Sequence, residues 1–170
     1  NLISSLILAA NYDIPEVGLY FHNKLYRGNR ARKVDANGFH AFQSPNFPAI
    51  VDVGAKISVR EELLLKDESK KLRVQKIAPP KVIILALFPG FPAEMLASIL
   101  TTSIKGIVLM TYGMGNAPTN DKLLMSLLKQ ASDSGVVIVN CTQCFKGSVD
   151  MSGYATGRGL QDMGVISGFD

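Results

Sequence analysis

The second half of the chain alternates continuous apolar runs with segments of helical periodicity. Apolar runs that predict strands occur at residues 82–88, 106–111, 136–140 and 165–168. Apolar residues recur at helical spacing at residues 92–100, 119–135 and 154–163. Thr119 or Asn120 is expected to cap the second of these helices, and Gly135 to end it. Strands that alternate with helices predict a parallel α/β sheet with right-handed crossovers.

The first half of the chain has a less regular pattern. Its apolar spacing predicts a helix at residues 1–10 and a short strand at 17–21, followed by a turn. The aromatic and proline-rich residues that follow predict a packed, irregular segment with a short helical turn near 48–53. Mixed charges and alternating apolar residues at 57–76 predict an exposed hairpin or linker. Ala78-Pro79-Pro80 then marks a boundary between domains.

Composition and charge limit the possible functions. The chain has 170 residues, 47% of them apolar, which is enough for a sizeable core. A net charge of +4 with 19% charged residues is modest and does not indicate nucleic acid or a membrane as partner. No apolar run reaches the roughly 18 residues that span a bilayer, and no signal-peptide pattern is present. We expect a soluble, cytoplasmic protein, and a piece of a longer one, because Asn1 already lies within a helical pattern.

The loop after the second strand of the regular half is the first candidate for chemistry. Gly113 and Gly115 would let backbone approach a small polar molecule at the carboxyl end of a parallel sheet, where ligands collect. Asn116, directly after the second glycine, is the candidate contact residue. The alternative is that both glycines only supply turn geometry, which is the usual role of an isolated Gly-x-Gly.

A basic cluster is the second candidate. Residues 24–33 contain five cations and no acid, and Lys33 ends the cluster. Such a cluster can favour the uncharged form of a lysine or gather an anion, whereas a solvated basic loop is the more common outcome. Nucleic-acid binding is the weaker alternative, because only Tyr26 interleaves the charges.

The cysteines and histidines do not predict a metal site. Cys141 and Cys144 form a Cys-x-x-Cys pair, but His22 and His40 are distant in sequence and complete no zinc motif. We expect reduced thiols without metal or cofactor. His40 is a possible base by residue type alone, although a histidine flanked by phenylalanines is more often packed in place.

Taken together, the sequence resembles the bacterial-type L-asparaginases, particularly the cytoplasmic type I enzymes and their larger animal relatives. The blocks that carry the resemblance are Leu25-Tyr-Arg-Gly-Asn-Arg-Ala-Arg-Lys33, Ala41-Phe-Gln-Ser-Pro-Asn46, Tyr112-Gly-Met-Gly-Asn-Ala-Pro118, Val139-Asn-Cys-Thr-Gln-Cys144 and Gly164-Val-Ile-Ser-Gly-Phe-Asp170. The resemblance implies that residues 1–58 end an N-terminal catalytic α/β domain. Residues 59–80 would be a linker or hairpin, and 81–170 most of a C-terminal Rossmann-like parallel α/β domain.

The resemblance implies hydrolysis of L-asparagine to L-aspartate and ammonia by a threonine nucleophile, without cofactor. Lys33 matches the lysine that takes part in proton transfer, and its residue type suits that role. Asn116 matches the asparagine that a neighbouring subunit offers to the active site of a homodimer or homotetramer. Cys144 matches a cysteine of the effector pocket.

The sequence departs from the family pattern in several places. The Thr-Gly-Gly-Thr-Ile and Thr-Asp-Thr motifs that hold the catalytic threonines do not occur in these residues. We therefore expect the 170 residues to be inactive alone. Met110 replaces an arginine of the effector pocket, and Arg32 a common threonine, so allosteric control by asparagine is not expected.

Other activities share the same lysine and loop. A glutaminase-asparaginase and the asparaginase-like subunit of a transfer-RNA amidotransferase are alternatives, and a lysophospholipase activity has been attached to the larger animal relatives. A different class is a non-catalytic module that binds a small molecule or a partner.

Overall fold

The computed structural model describes residues 1–66, 74–79, 81–101, 103–153 and 155–169. The chain divides into two compact units, Asn1–Val74 and Gln75–Asp170. This division falls inside the range 59–80 that was expected to be a linker or hairpin. Residues 67–73 of that range lie outside the described residues.

The first unit is built on short antiparallel strands. Its elements are α1 (Leu2–Asn11), β1 (Gly18–Phe21), β2 (Lys24–Arg27), β3 (Arg32–Lys33), β4 (Phe42–Gln43), β5 (Val51–Val53) and β6 (Ile57–Val59). One antiparallel sheet has the strand order β1-β2-β5-β6, and β3 pairs with β4 separately. The predicted first helix and first strand are confirmed. β6 lies at the start of the segment expected to be an exposed hairpin or linker, yet it belongs to this sheet.

Two predictions for this unit are wrong. Lys24–Arg27, part of the cluster for which a basic loop was the more common outcome, forms β2. The two residues before it have φ values of 47° and 62°, which gives a tight turn that pairs β2 with β1. Residues 48–53, expected to hold a helical turn, contain β5 instead. Ile50 and Val51 have no exposed surface and form the core of the unit with Leu8 and other apolar side chains.

Part of the basic cluster serves the fold of this unit. Arg27 Nε donates to Glu16 Oε2 at 2.5 Å, and Arg27 Nη2 donates to the carbonyl of Leu63 at 2.7 Å. The Glu16 side chain is only 3% exposed. The hydrogen bond from Arg27 is the main cause that lowers the pKa of Glu16 below its ordinary value. Lys24 Nζ likewise lies 2.7 Å from Asp52 Oδ1.

The second unit is the predicted parallel α/β sheet. Its elements are β7 (Val82–Ala86), α2 (Ala93–Leu100), β8 (Gly106–Thr111), α3 (Lys122–Asp133), β9 (Val137–Thr142), α4 (Ala155–Asp162) and β10 (Ile166–Ser167). The four strands are parallel, in the order β10-β9-β8-β7. The predicted strands and helices of this half are confirmed, with bounds that differ by a few residues.

Side chains of this sheet alternate between a buried and a more exposed face. Leu109 of β8 and Ile138 of β9 are buried and pack in one core with Leu96 of α2 and Leu128 of α3. The opposite face is more open, since Ile84 of β7 is 71% exposed. The polar groups that reach the buried face at the carboxyl ends of the strands therefore need hydrogen-bond partners within the unit.

The start of α3 differs from the prediction. Asp121, and not Thr119 or Asn120, is the N-cap residue, and its Oδ1 accepts a hydrogen bond from the backbone N–H of Leu124 at 3.0 Å. Most of the expected apolar stripe of α3 is buried, but Leu123 is 42% exposed. The loop between β8 and α3 is thus two residues longer than an N-cap at Thr119 would leave it.

Candidate functional site

The loop that follows β8 is closed by backbone hydrogen bonds. The N–H of Tyr112 donates to the carbonyl of Asn116 at 2.9 Å, and the N–H of Asn116 donates back to Tyr112 at 2.8 Å. Gly113 and Gly115 lie within this turn with φ values of +50° and +110°. The second value is one that L side chains rarely adopt, so a glycine is required there.

The side chain of Asn140, in β9, forms a hydrogen bond with the loop. This side chain has no exposed surface. Its Nδ2 donates to the carbonyl of Gly115 at 3.1 Å, and its Oδ1 accepts from Thr111 Oγ1 at 2.6 Å. A buried carboxamide with both ends bonded costs little to bury and fixes its neighbours in one arrangement. The ends of β8 and β9 therefore hold the loop in a fixed position relative to the sheet.

Two further side chains from the end of β9 fix this edge of the sheet. Thr142 Oγ1 donates to the carbonyl of Gly113 at 2.5 Å and accepts from the N–H of Cys144 at 2.9 Å. Gln143 Nε2 donates to the carbonyls of Leu87 and Met110, at 2.6 and 2.8 Å. Residues after β7, in β8 and after β9 are thereby joined at the carboxyl end of the sheet, where parallel sheets bind ligands.

Gly115 is also constrained by packing. A Cβ at this position would lie 2.7 Å from Val149 Cγ1 and 3.0 Å from Asn140 Nδ2. The segment around Val149 is joined to the loop by the N–H of Asp150, which donates to the carbonyl of Met114 at 3.0 Å. Gly115 thus permits the backbone conformation of the turn, and it leaves room for the segment around Val149 to pack against the loop.

The carboxamide of Asn116 is held by α4. Thr156 Oγ1 donates to Asn116 Oδ1 at 2.5 Å. Asn116 is half-buried, so part of its surface remains accessible. The structure therefore presents one amide side chain from a rigid loop at the edge of the sheet, with its orientation set by a hydroxyl group.

Lys33 lies in the first unit, on the β3–β4 pair. It is exposed, and its Nζ lies 5.2 Å from the centroid of the Phe42 ring. Phe42 in turn contacts Phe21, with ring centroids 5.1 Å apart. Asp35, two residues after Lys33, accepts hydrogen bonds from the N–H groups of Gly38 and Asn37. These bonds lower the pKa of Asp35, and the charge of Lys33 adds a smaller contribution.

The histidines and cysteines form no further centre. The His40 ring contacts the His22 ring, with centroids 3.6 Å apart and planes tilted by 57°. His40 stays exposed, so it is not packed between its phenylalanine neighbours. Cys141 and Cys144 are not joined in a disulfide. Within the described parts of the chain, no three His, Cys, Asp or Glu side chains are grouped so that they could hold a metal ion. No helix in those parts is long and apolar enough to cross a membrane.

Sequence reasoning proposed Asn116 and the two glycines as candidates, but it did not single out Asn140, Thr142 and Thr156. For the first two a signal existed: both share the strand face of buried Ile138, at spacings of two and four residues, which marks them as polar groups at buried positions. No sequence signal marked Thr156, because its contact with Asn116 joins residues that are 40 positions apart.

Comparison with known proteins finds similar sequences and structures over the whole chain. Residues 81–170 match the model for the glutaminase/asparaginase C-terminal domain, and residues 1–65 match that for the asparaginase N-terminal domain. The whole chain is 44% identical to half of L-asparaginase 1 from Escherichia coli, and 45% identical to 30% of the 60 kDa lysophospholipase from Mus musculus. The crystal structure of L-asparaginase I from Vibrio cholerae superposes with a TM-score of 0.91 and is 44% identical, and the chain covers 51% of it. The chain thus spans about half the length of these bacterial relatives and under a third of the mouse relative.

Proposed function

Because the chain belongs to the glutaminase/asparaginase family, we propose that the whole protein hydrolyses L-asparagine to L-aspartate and ammonia. The single observation that supports this most directly is the Asn116 carboxamide at the carboxyl end of a parallel sheet. Its oxygen is bonded by Thr156, and the loop that carries it is bonded to the buried Asn140. A carboxamide offers both donors and acceptors, which suits the ammonium and carboxylate groups of an amino-acid substrate. It cannot transfer protons, so it binds and orients.

Lys33 is the residue that we propose for proton transfer. An amine can take and return a proton, and Lys33 ends the block that resembles the family motif. The nucleophile would be a threonine outside these 170 residues, since neither threonine motif occurs in them. The same proposal includes a homo-oligomer of cytoplasmic location, in which Lys33 of one subunit and Asn116 of its neighbour serve one active site.

The test is ammonia release by the whole protein with L-asparagine or L-glutamine as substrate. We expect turnover of L-asparagine, with a lower kcat/KM for L-glutamine. Asn116→Ala should lower kcat/KM for L-asparagine by about 5- to 150-fold, because it removes hydrogen bonds worth about 1–3 kcal/mol. Asn120→Ala is the matched control, since Asn120 is exposed and lies four residues further along the chain. Absence of ammonia release from both amides would refute the proposal.

A further inference from the structure

Asn116 is bonded through its side chain to a helix that the sequence does not connect with the site. Thr156 lies in the first turn of α4, and its hydroxyl donates to Asn116 Oδ1 at 2.5 Å. In this contact the hydroxyl is the donor and the carboxamide oxygen is the acceptor. The hydrogen bond therefore restrains the rotation of the Asn116 carboxamide.

The backbone of α4 is placed so that Thr156 reaches Asn116. A Cβ on Gly157, the next residue, would lie 2.6 Å from the carbonyl oxygen of Met151, so only glycine allows this approach. Gly159 lies against Thr119, whose Cγ2 would be 3.3 Å from a Cβ there. The position of Thr156 is thus set by close backbone packing, not by a flexible surface contact.

We propose that Thr156 is a positioning residue for ligand binding, which acts by fixing the orientation of the Asn116 carboxamide. This inference rests on the proposed function, in which Asn116 contacts the amino-acid substrate. The hydrogen bond uses one lone pair of Oδ1. It leaves the second lone pair and both Nδ2 hydrogens in fixed directions for the ammonium and carboxylate groups of the substrate. Without the hydroxyl, the carboxamide loses this restraint on its rotation and must be ordered when the substrate binds.

The expected kinetic signature is a change in KM more than in kcat. Asn116 contacts groups of the substrate that do not react, so its interaction contributes equally to the ground state and the transition state. Loss of such uniform binding raises KM and leaves kcat nearly unchanged. General damage to the active site would lower kcat as well.

The test uses the whole protein with Thr156→Val, which keeps the shape and removes the hydroxyl, and Thr156→Ser, which keeps the hydroxyl. We expect Thr156→Val to raise KM for L-asparagine by about five- to tenfold, the effect of one ordinary hydrogen bond, with kcat within about threefold. Thr156→Ser should restore the KM of the unsubstituted protein. Thr101→Val is the matched control, because the Thr101 hydroxyl bonds only locally, to the carbonyl of Ser98.

A double substitution shows whether Thr156 acts through Asn116. In an Asn116→Ala background, Thr156→Val should raise KM by less than about twofold, because the group it positions is already gone. An additive effect of the two substitutions would overturn the proposal. So would an unchanged KM in Thr156→Val alone.

Crystal structures of the whole protein with Thr156→Val and Thr156→Ser give a readout that needs no activity. We expect the Asn116 carboxamide to be rotated or to occupy two orientations in Thr156→Val, and to be unchanged in Thr156→Ser. An unchanged Asn116 in Thr156→Val would refute the positioning role. Lack of ammonia release by the unsubstituted protein would instead refute the proposed function, and the crystal structures would still decide the role of Thr156.

Discussion

A lysine can carry a proton and a carboxamide cannot, and this difference between residue types predicts the cost of losing Lys33. In the whole protein, Lys33→Met should lower kcat by at least about 10²–10⁴-fold, the usual contribution of a proton-transfer group. Arg30→Met is the matched control from the same basic cluster and should change kcat far less. Steady-state ammonia release measures both. A Lys33→Met protein that keeps most of its activity would place Lys33 among the solvated surface cations.

The Glu16–Arg27 pair predicts how stability depends on pH. The pKa of Glu16 is lowered from its ordinary value of 4.5 by the Arg27 hydrogen bond. The stability that this interaction contributes is therefore complete above about pH 4.5 and is lost as the pH falls through the lowered pKa. Glu16→Gln keeps the shape but cannot ionise. It should lower the free energy of unfolding by about 1–3 kcal/mol at pH 7.

Thermal unfolding of the whole protein at pH 7, 5 and 4 measures this effect. The difference in Tm between the unsubstituted protein and Glu16→Gln should be largest at pH 7 and should shrink at the lowest pH. Glu61→Gln is the control, since Glu61 is an exposed glutamate of the same unit. A Tm difference that is the same at every pH would contradict the assignment of this stability to the ionised carboxylate.

At the residue scale, the sequence pointed to residues that stand in a local motif. It did not point to residues whose hydrogen-bond partners are far away along the chain. Asn116 follows two glycines, and that local pattern made it a candidate contact residue. Thr156 is an ordinary helix residue, and only the close approach of α4 makes it part of the site. Hydrogen bonds between residues far apart in the chain leave no periodic signal, so the structure was needed to find them.

At the scale of the element, the two glycines of the β8–α3 loop predict different costs for the same substitution. Gly113 has φ +50°, and no described atom lies within 4 Å of a Cβ built there. Gly113→Ala should therefore lower the free energy of unfolding by only about 1–2 kcal/mol, because alanine would have to adopt a left-handed conformation. Gly115 has φ +110°, and its Cβ would clash with Val149 and Asn140. Gly115→Ala should cost at least about 3 kcal/mol, since strain and overpacking add.

Chemical denaturation of the whole protein gives both free energies, and KM for L-asparagine reports the loop geometry. We expect Gly115→Ala to raise KM more than Gly113→Ala does, because the clash displaces the loop that carries Asn116. Equal effects of the two substitutions would mean that the contacts of Gly115 with Val149 and Asn140 do not hold the loop in place.

Elements of the second unit were predictable because β7, β8 and β9 have five or six residues each, long enough to show a run of apolar residues, and glycine marks the end of α3. Apart from β1, the short strands of the first unit were not. β5 has only three residues, and β2 has a cation at each end of only four residues, so both resemble loop sequence. Their strand conformation follows from pairing with neighbours and from burial of residues such as Ile50, which are non-local effects.

At the scale of the whole molecule, the division into two units bears on how an active site could be assembled. Lys33 lies in the first unit and Asn116 in the second. In a two-fold dimer, any contact between unlike units of two subunits occurs twice, and it generates two equivalent sites. The proposal of a shared site therefore makes a prediction that does not depend on the distance between the two residues within one chain.

We predict that two inactive or weakened whole proteins regain activity when they are mixed. In a dimer of Lys33→Met with Asn116→Ala, one shared site carries both substitutions and the other carries neither. After complete exchange of equal amounts, about half of the dimers are mixed, so about a quarter of all sites are intact. With L-asparagine well below KM, where the Asn116→Ala sites contribute little, ammonia release should rise to about that fraction of the unsubstituted activity. The control is the Lys33→Met protein mixed with itself. Exchange that is demonstrated by differently tagged subunits, but without recovery of activity, would show that both residues act in a site of one chain.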